Sequence, residues 1–347
     1  ATLCVGSGYP QTSILSVNAL SGALRWKRDT EQYVYSSPAC TSSLVAGGSD
    51  NGKFYFLNPG SGDDLFTPYA TGAKIYFSAM VIDGGRVFGV SGDNQKTLYA
   101  FSAATGQLQW SAALPVGACE SLSSPAVTAS GVYVAASCTS SSKTKLLAYD
   151  LATGNAKTGF TTYEAAFSGA AKEYGFASSP AIAGGVIYLA DANGKLHFID
   201  EASGSAVSAS IQVGAGQPLL ASPAIANGWV YVASFDGKIY AYQADAVAAV
   251  SHPSDVDELT RSAPVQVSGV LKPSAGEGLT SYSLEYGSTT APSSWTYLAQ
   301  NQTADAIDGS IITLGTWTVA GLADGDYVLR LTAQFTNETK IALHPVK

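Results

Sequence analysis

The tripeptide Ser-Pro-Ala recurs at Ser37-Pro38-Ala39, Ser124-Pro125-Ala126, Ser179-Pro180-Ala181 and Ser222-Pro223-Ala224, and Ser78-Ala79-Met80 reads as a degenerate copy. Each copy leads into an apolar run such as Val132-Tyr133-Val134, Val186-Ile187-Tyr188-Leu189 or Trp229-Val230-Tyr231-Val232. Such β-branched and aromatic runs are strand signals. The polar turns that follow, such as Asn193-Gly194-Lys195 and Asp236-Gly237-Lys238, supply the positive φ angles of two-residue hairpins. A second small turn closes each unit: Ser21-Gly22, Ser61-Gly62, Thr105-Gly106, Thr153-Gly154 and Ser203-Gly204. The unit is therefore about 40–50 residues long, the length of one four-stranded antiparallel blade. A single blade cannot bury either of its faces, so copies must stack side by side. With a worn sixth turn near Ala244-Asp245-Ala246, the pattern predicts a β-propeller of about six blades over residues 1–250.

The start of the array is irregular, because the first residues up to Gly8 read as the second strand of a blade whose inner Ser-Pro-Ala strand is missing. Either later residues of the chain return to complete that blade, or a second chain or an N-terminal segment supplies the strand. Residues 251–256 read as a linker, and residues 257–347 carry a different all-β pattern. Its strands include Val265-Gln266-Val267-Ser268 and Tyr327-Val328-Leu329-Arg330-Leu331. Short strands with frequent turns over that length predict an immunoglobulin-like or fibronectin-like β-sandwich, with Tyr327 placed to form a tyrosine corner.

Composition narrows the setting. Only 13% of residues are charged and the net charge is −8, which argues against binding a phosphate backbone, so nucleic acid is not an expected partner. No apolar run reaches the length of a membrane span. The single methionine, Met80, is internal, and a removed secretory leader is expected upstream. Four cysteines suit disulfide pairing in an oxidising compartment. Cys119 and Cys138 flank one inner strand and its return, which would allow them to pair within a blade and would leave Cys4 with Cys40; the sequence does not fix that connectivity, and four buried free thiols are the alternative.

The full unit runs from Ser-Pro-Ala through Val-Tyr-Val and Asp-Gly-Lys to Thr-Gly and a tryptophan. It is seen whole in Thr105-Gly106-Gln107-Leu108-Gln109-Trp110 and again in Ser21-Gly22-Ala23-Leu24-Arg25-Trp26. This unit resembles the repeat of pyrroloquinoline-quinone-like (PQQ-like) propellers, over about residues 1–250. The resemblance implies that Trp26 and Trp110 dock structurally between blades; after Gly62 and Gly154 the matching places hold Phe66 and Phe160, and after Gly204 no aromatic. The family spans quinoprotein dehydrogenases, the lipoprotein propeller of outer-membrane barrel assembly, and propellers on bacterial surface proteins, so membership leaves function open. The C-terminal block, with Trp295 and Trp317, resembles accessory modules of bacterial extracellular proteins.

Catalysis finds little support. A quinoprotein dehydrogenase would bring adjacent cysteines, an acidic Ca²⁺ site and a carboxylate base, and none of these can be assigned. No catalytic, cofactor-binding or metal-binding residues are expected and PQQ is not; Ca²⁺ at the hairpin acids is the alternative that nothing else in the sequence supports. The turn acids Asp50, Asp93, Asp191 and Asp236 read as Asx-turn residues, and His197 as a residue on a blade face. Partners are expected instead at the loops entering the inner strands, where aromatics collect: Tyr33, Tyr35, Tyr76, Phe77, Tyr163, Phe167, Tyr174 and Phe176, with Glu31, Glu120 and Glu173 nearby. Such a rim suits a polypeptide or glycan, although Tyr35, Phe77 and Phe176 could equally wedge between blades. The expectation is a non-catalytic, secreted or cell-surface scaffold or adhesion protein, one form of it a filament subunit. The alternative is a degenerate quinoprotein-type enzyme or a sensor using the propeller channel.

Overall fold

The structure is a computed structural model. It describes residues 2–76, 78–92, 96–115, 121–138, 141–166, 178–226, 229–243, 247–253, 264–273, 278–288, 292, 294–304, 307, 311–323, 325–336 and 339–346. Every regular element among them is a β-strand. The chain divides into two compact units, one of residues Ala1–Pro223 with Val232–Tyr240, the other of Ala224–Tyr231 with Ala241–Lys347.

The repeats form six successive antiparallel sheets among the described residues. The first is β1 (Thr2–Gly6), β2 (Ser13–Asn18) and β3 (Leu24–Asp29), in that order. The second runs β4 (Ala39–Cys40), β5 (Val45–Gly48), β6 (Lys53–Leu57) and β7 (Asp64–Ala70), and the third β8 (Val81–Asp83), β9 (Arg86–Ser91), β10 (Thr97–Ser102) and β11 (Leu108–Ala113). In the fourth, β12 (Ser121–Leu122) and β13 (Ala126–Thr128) both pair with β14 (Gly131–Cys138), which is followed by β15 (Lys143–Tyr149) and β16 (Tyr163–Ala166). The fifth holds β17 (Ala181–Ala183), β18 (Val186–Ala190), β19 (Lys195–Asp200) and β20 (Ile211–Gln212). The sixth holds β21 (Ala224–Ala226), β22 (Trp229–Ala233) and β23 (Ile239–Gln243). In the first sheet β1 occupies the place of β5, so the counterpart of β4 is lacking among the described residues.

One contact joins the sheets. Trp26 on β3 is buried, donates its indole N–H to Pro59 O at 2.8 Å, and lies over Gly62 of the second sheet; a Cβ there would stand 2.6 Å from the ring. Phe66 on β7 covers Gly106 in the same way, Trp110 on β11 covers Gly154, and Phe160 covers Gly204. These glycines have φ between 66° and 79°, in the left-handed region that other residues enter at a cost. Each closes a turn begun by Asn58, Ser102, Asp150 or Asp200, whose carbonyl accepts the glycine N–H. A β-bulge aims the aromatic across the gap: Arg25, Leu65 and Gln109 are the extra residues just before Trp26, Phe66 and Trp110, and a bulge redirects the side chains around it. Gly22, at φ 70°, has nothing within 4 Å of where its Cβ would be.

Serines tie the inner strands. The Ala79 N–H donates to Ser124 Oγ (2.8 Å), the Ser124 N–H to Ser179 Oγ (3.1 Å), and the Ser179 N–H to Ser222 Oγ (2.9 Å). Ala79 is thus the counterpart of Ser124, and the degenerate motif is Ala79-Met80-Val81, one residue later than its sequence suggests. Met80 stands in place of proline, and its N–H bonds Ser37 O at 3.2 Å, which proline could not do. Ser78 belongs with Ser36, Ser123 and Ser178, a buried serine that precedes the tripeptide in every copy but the last, where Ala221 takes its place. Ser36 and Ser178 each both donate to and accept from the backbone of the neighbouring strand, at Gly48 and Ala190. Cys4 and Cys40 are disulfide-bonded with Cα atoms 6.2 Å apart, joining β1 to β4. Cys138 is also disulfide-bonded, and Cys119 lies outside the described residues.

The second unit places β24 (Val247–His252), β25 (Val265–Lys272) and β28 (Ile311–Trp317) in one antiparallel sheet. The other sheet runs in the order β27 (Thr296–Gln302), β26 (Leu279–Gly287), β29 (Tyr327–Phe335) and β30 (Thr339–Val346). Leu271, Leu284, Leu314, Trp317, Leu329 and Phe335 share one core between them. Ser251 and His252, expected to begin a linker, are the end of β24, because the apolar run before them pairs with β25; residues 254–256 lie outside the described residues. Tyr327 donates its hydroxyl back to Ala323 O at 2.8 Å. Arg330 makes a bidentate pair with buried Glu285 (2.8 and 2.9 Å) under the Trp295 ring, 4.1 Å away.

If the ring-on-glycine contact is what joins the sheets, Gly62→Ala combines a left-handed alanine with overpacking against Trp26 and costs about 2–4 kcal/mol. Gly22→Ala meets only the backbone term, about 1 kcal/mol. Urea unfolding of both variants measures the gap, and equal losses would remove the contact from its structural role.

Candidate functional site: a row of tyrosines

The segment entering β4 is extended, so its side chains alternate. Val34 and Ser36 turn inward and are buried; Tyr33 and Tyr35 turn outward. Two backbone bonds hold the segment in place, from the Val34 N–H to Ser7 O (3.0 Å) and from the Asp50 N–H to Tyr33 O (2.9 Å). The same alternation ahead of β8 buries Ile75 and leaves Tyr76 43% exposed. Tyr9 stands 76% exposed in the turn between β1 and β2, which the Gln11 N–H closes onto Gly8 O at 2.8 Å with a cis Tyr9–Pro10 bond.

These four rings form a continuous row. Tyr9 and Tyr33 lie with centroids 5.8 Å apart at 67°, Tyr33 and Tyr35 5.7 Å apart at 57°, and Tyr35 and Tyr76 5.3 Å apart at 73°. Edge and tilted contacts of this kind are the favoured aromatic arrangement. Gly8 makes room for the row, since a Cβ there would stand 2.6 Å from Tyr35 Cε1.

Glu31, two residues before Tyr33, has φ 66°. Its N–H donates to Asp29 Oδ1 at 2.9 Å, which fixes the turn, and its carboxylate stands 3.6 Å from Lys53 Nζ. The Glu31 N–H first, and then the Thr12 hydroxyl, hold the exposed Asp29 carboxyl below its ordinary value.

Tyr33, Tyr35 and Tyr76 therefore come together, and Tyr9 joins them unannounced by the sequence. Tyr163 stands apart from the row: half-buried on β16, it packs with Leu146 and Ile187 and places its hydroxyl 2.9 Å from His197 Nδ1. His197 Nε2 lies 2.8 Å from Asp191 Oδ2, while Asp191 Oδ1 accepts the N–H groups of Asn193 and Lys195. This Tyr163–His197–Asp191 chain of polar contacts pins β16 to β19. Burial, and then the Asp191 charge, push the Tyr163 hydroxyl pKa up. Phe77, Glu120, Phe167, Glu173, Tyr174 and Phe176 lie outside the described residues. Among the described residues no cluster of three or more His, Cys, Asp or Glu is placed to hold a metal ion.

The stacked sheets and their inter-sheet aromatics define a β-propeller. The model of the family described as outer membrane protein assembly factor BamB matches residues 10–173. Among solved structures, BamB from Moraxella catarrhalis is 13% identical, with 99% of this chain and 98% of that chain covered at a TM-score of 0.51. The computationally designed Ika8 protein is 15% identical, covering 70% of this chain and 68% of that one at a TM-score of 0.56. The Dos1 propeller is 13% identical, covering 70% and 64% at a TM-score of 0.53. At such identities the likeness is one of fold. No curated protein matches the chain.

Because the folded Asp29 pKa is depressed, its stabilisation is present above the ordinary value of 3.8 and is lost as pH falls through the lower folded value. Amide exchange at Glu31, followed by NMR, should therefore show protection that is constant above about pH 4 and falls below it. Asp29→Asn should abolish that dependence.

Proposed function

We propose that this chain is a non-catalytic protein-interaction scaffold of the cell envelope, secreted or surface-exposed, which takes its partner on the row Tyr9, Tyr33, Tyr35 and Tyr76. The row carries the reading. Aromatic side chains contribute contact area at low entropic cost, and here the turn glycines and extended segments hold four of them in place before any partner arrives. The family model matching residues 10–173 is described by an outer-membrane protein assembly factor, which supports an extracytoplasmic partner that is itself protein. No helix of the described residues is long and apolar enough to cross a membrane. The function needs neither quinone nor Ca²⁺.

The finer architecture belongs to the same proposal: six blades followed by an immunoglobulin/fibronectin-like module. The order β24-β25-β28 opposite β27-β26-β29-β30 and the Tyr327 hydroxyl bond to Ala323 support that module, since a tyrosine bonding back from the start of a late strand is a mark of such sandwiches. We further propose that a partner chain completes the first blade, as in a surface filament or assembly. The support is the open edge of the first sheet, where β1 has no counterpart of β4 beside it among the described residues, together with the apolar face next to that edge, where Leu3 and Leu24 are 54% and 60% exposed.

A photo-crosslinking residue at position 9 or 76 is expected to trap a discrete protein in the native cell envelope, and one at Asp63 is not. Equal yields at all three positions would overturn the row as the binding surface. For the first blade, sedimentation velocity should find the chain associated and Leu3→Glu/Leu24→Glu monomeric; a stable wild-type monomer would count against a completing chain.

A further inference from the structure

We infer that the turn at Gly22 docks a tryptophan side chain carried by an outer β-strand of another polypeptide. This rests on the reading that a partner chain completes the first blade, and it names the side chain that the partner inserts.

Five turns of the propeller unit share one construction. The main-chain carbonyls of Asn18, Asn58, Ser102, Asp150 and Asp200 each accept the N–H of the glycine four residues on, at 2.8–3.0 Å, and those glycines lie at φ between 66° and 79°. Four of them carry an aromatic ring of the preceding sheet, and three of these, Gly62, Gly154 and Gly204, are buried. Gly22 is built in the same way, yet it is exposed and has nothing within 4 Å of its Cβ position.

The turn selects an indole. Beside the glycine stands the carbonyl of the second turn residue, and where the ring is tryptophan that carbonyl takes the indole N–H. Trp26 donates to Pro59 O at 2.8 Å, and Trp110 to Leu151 O at 3.2 Å. At Gly204 the ring is Phe160, which has no donor, and the matching carbonyl of Glu201 accepts the Tyr133 hydroxyl instead at 3.0 Å. In the Gly22 turn the matching group is Ala19 O, which no donor reaches among the described residues. Docking strips water from this carbonyl, so a ring that brings its own N–H is favoured over one that does not. Leu20, 91% exposed in the turn, and Leu24 just beyond it add apolar area for the partner strand.

The repeat of this chain does not supply the ring. In the covered sites the aromatic follows soon after the strand that precedes the turn, whereas residues 243–281, which follow β23, hold no Phe, Tyr or Trp. Between the fifth and sixth sheets, glycine and ring are absent together: no aromatic stands between Gly204 and Trp229, and Gln243-Ala244-Asp245-Ala246 has no glycine. Gly22 is the turn glycine that is kept without a ring from its own repeat.

NMR of the full chain tests this. In dilute solution the Gly22 amide is expected to show no ring-current shift; a shift that persists on dilution would mean that the chain covers its own turn, and would overturn the proposal. The probe is a peptide of residues 107–113, Gln-Leu-Gln-Trp-Ser-Ala-Ala, the strand that carries Trp110. It is expected to shift the Gly22 amide saturably, binding at least about 10-fold more tightly than the peptide with Ala for Trp and about 5-fold more tightly than the peptide with Phe. Gly22→Ala should weaken the Trp peptide by about 10-fold, and Gly84→Ala, at another uncovered left-handed glycine, should leave it unchanged. Equal binding of the Ala or Phe peptide, a comparison that needs no variant, would overturn the proposal, as would shifts that leave Gly22 out. If the peptides leave Gly22 unmoved while the chain is associated and Leu3→Glu/Leu24→Glu is monomeric, a partner completes the blade without this ring and the docking inference alone is wrong. If the chain is a stable monomer as well, the two readings fail together.

Discussion

The packing of one aromatic ring on one left-handed glycine of the next sheet is the contact on which the propeller unit depends. It recurs as Trp26 on Gly62, Phe66 on Gly106, Trp110 on Gly154 and Phe160 on Gly204. Each instance needs several local features at once. An Asx-type or serine-led turn brings the glycine to positive φ, and the absence of a Cβ lets the ring approach. In the first three, a bulge one residue earlier aims that ring across the gap. A lone β-sheet can bury neither of its two faces, so these contacts convert unstable single blades into a stack. The inner strands add a second tie through the serine ladder. Proline beside it lacks an N–H, so the innermost edge does not invite a foreign strand.

The tyrosine row follows from the same construction. An extended segment entering a buried inner strand has to send every second side chain outward, so burying Val34 and Ser36 presents Tyr33 and Tyr35. The neighbouring blade does the same with Ile75 and Tyr76. Gly8 lets the rings close into contact, and the left-handed Glu31 turns the chain into the segment. The site is therefore made by elements that are rigid for structural reasons, and a surface held this way loses little entropy on binding.

Much of this was legible in the sequence, because the repeat expresses local requirements. Glycine at fixed places reports positive φ, Thr-Gly followed by tryptophan reports the outer strand, and alternating Tyr-x-Tyr before an inner strand reports an outward pair. The errors have physical causes as well. Ser78 looks like the serine of Ser-Pro-Ala, whereas the hydrogen bond to Ser124 identifies Ala79 as its counterpart. Ser251 and His252 carry turn-forming character, yet the apolar residues before them pair with β25 and draw them into a strand. Tyr163 has the composition of a rim residue, but its hydroxyl is engaged by His197, a partner 34 residues away.

The amino-acid sequence by itself determined the class of structure, the length of the repeat and the residue types at each interface, since those depend on φ angles, strand periodicity and the need to bury sheet faces. The tertiary structure alone decided which side chains meet. That Tyr9 completes a row begun by Tyr33, that Gly8 lies under Tyr35, and that Gly22 is left uncovered while Gly62, Gly106, Gly154 and Gly204 are covered are facts about neighbours distant in the chain. Local pattern carries no record of them, because the distances involved are set by how the blades stack.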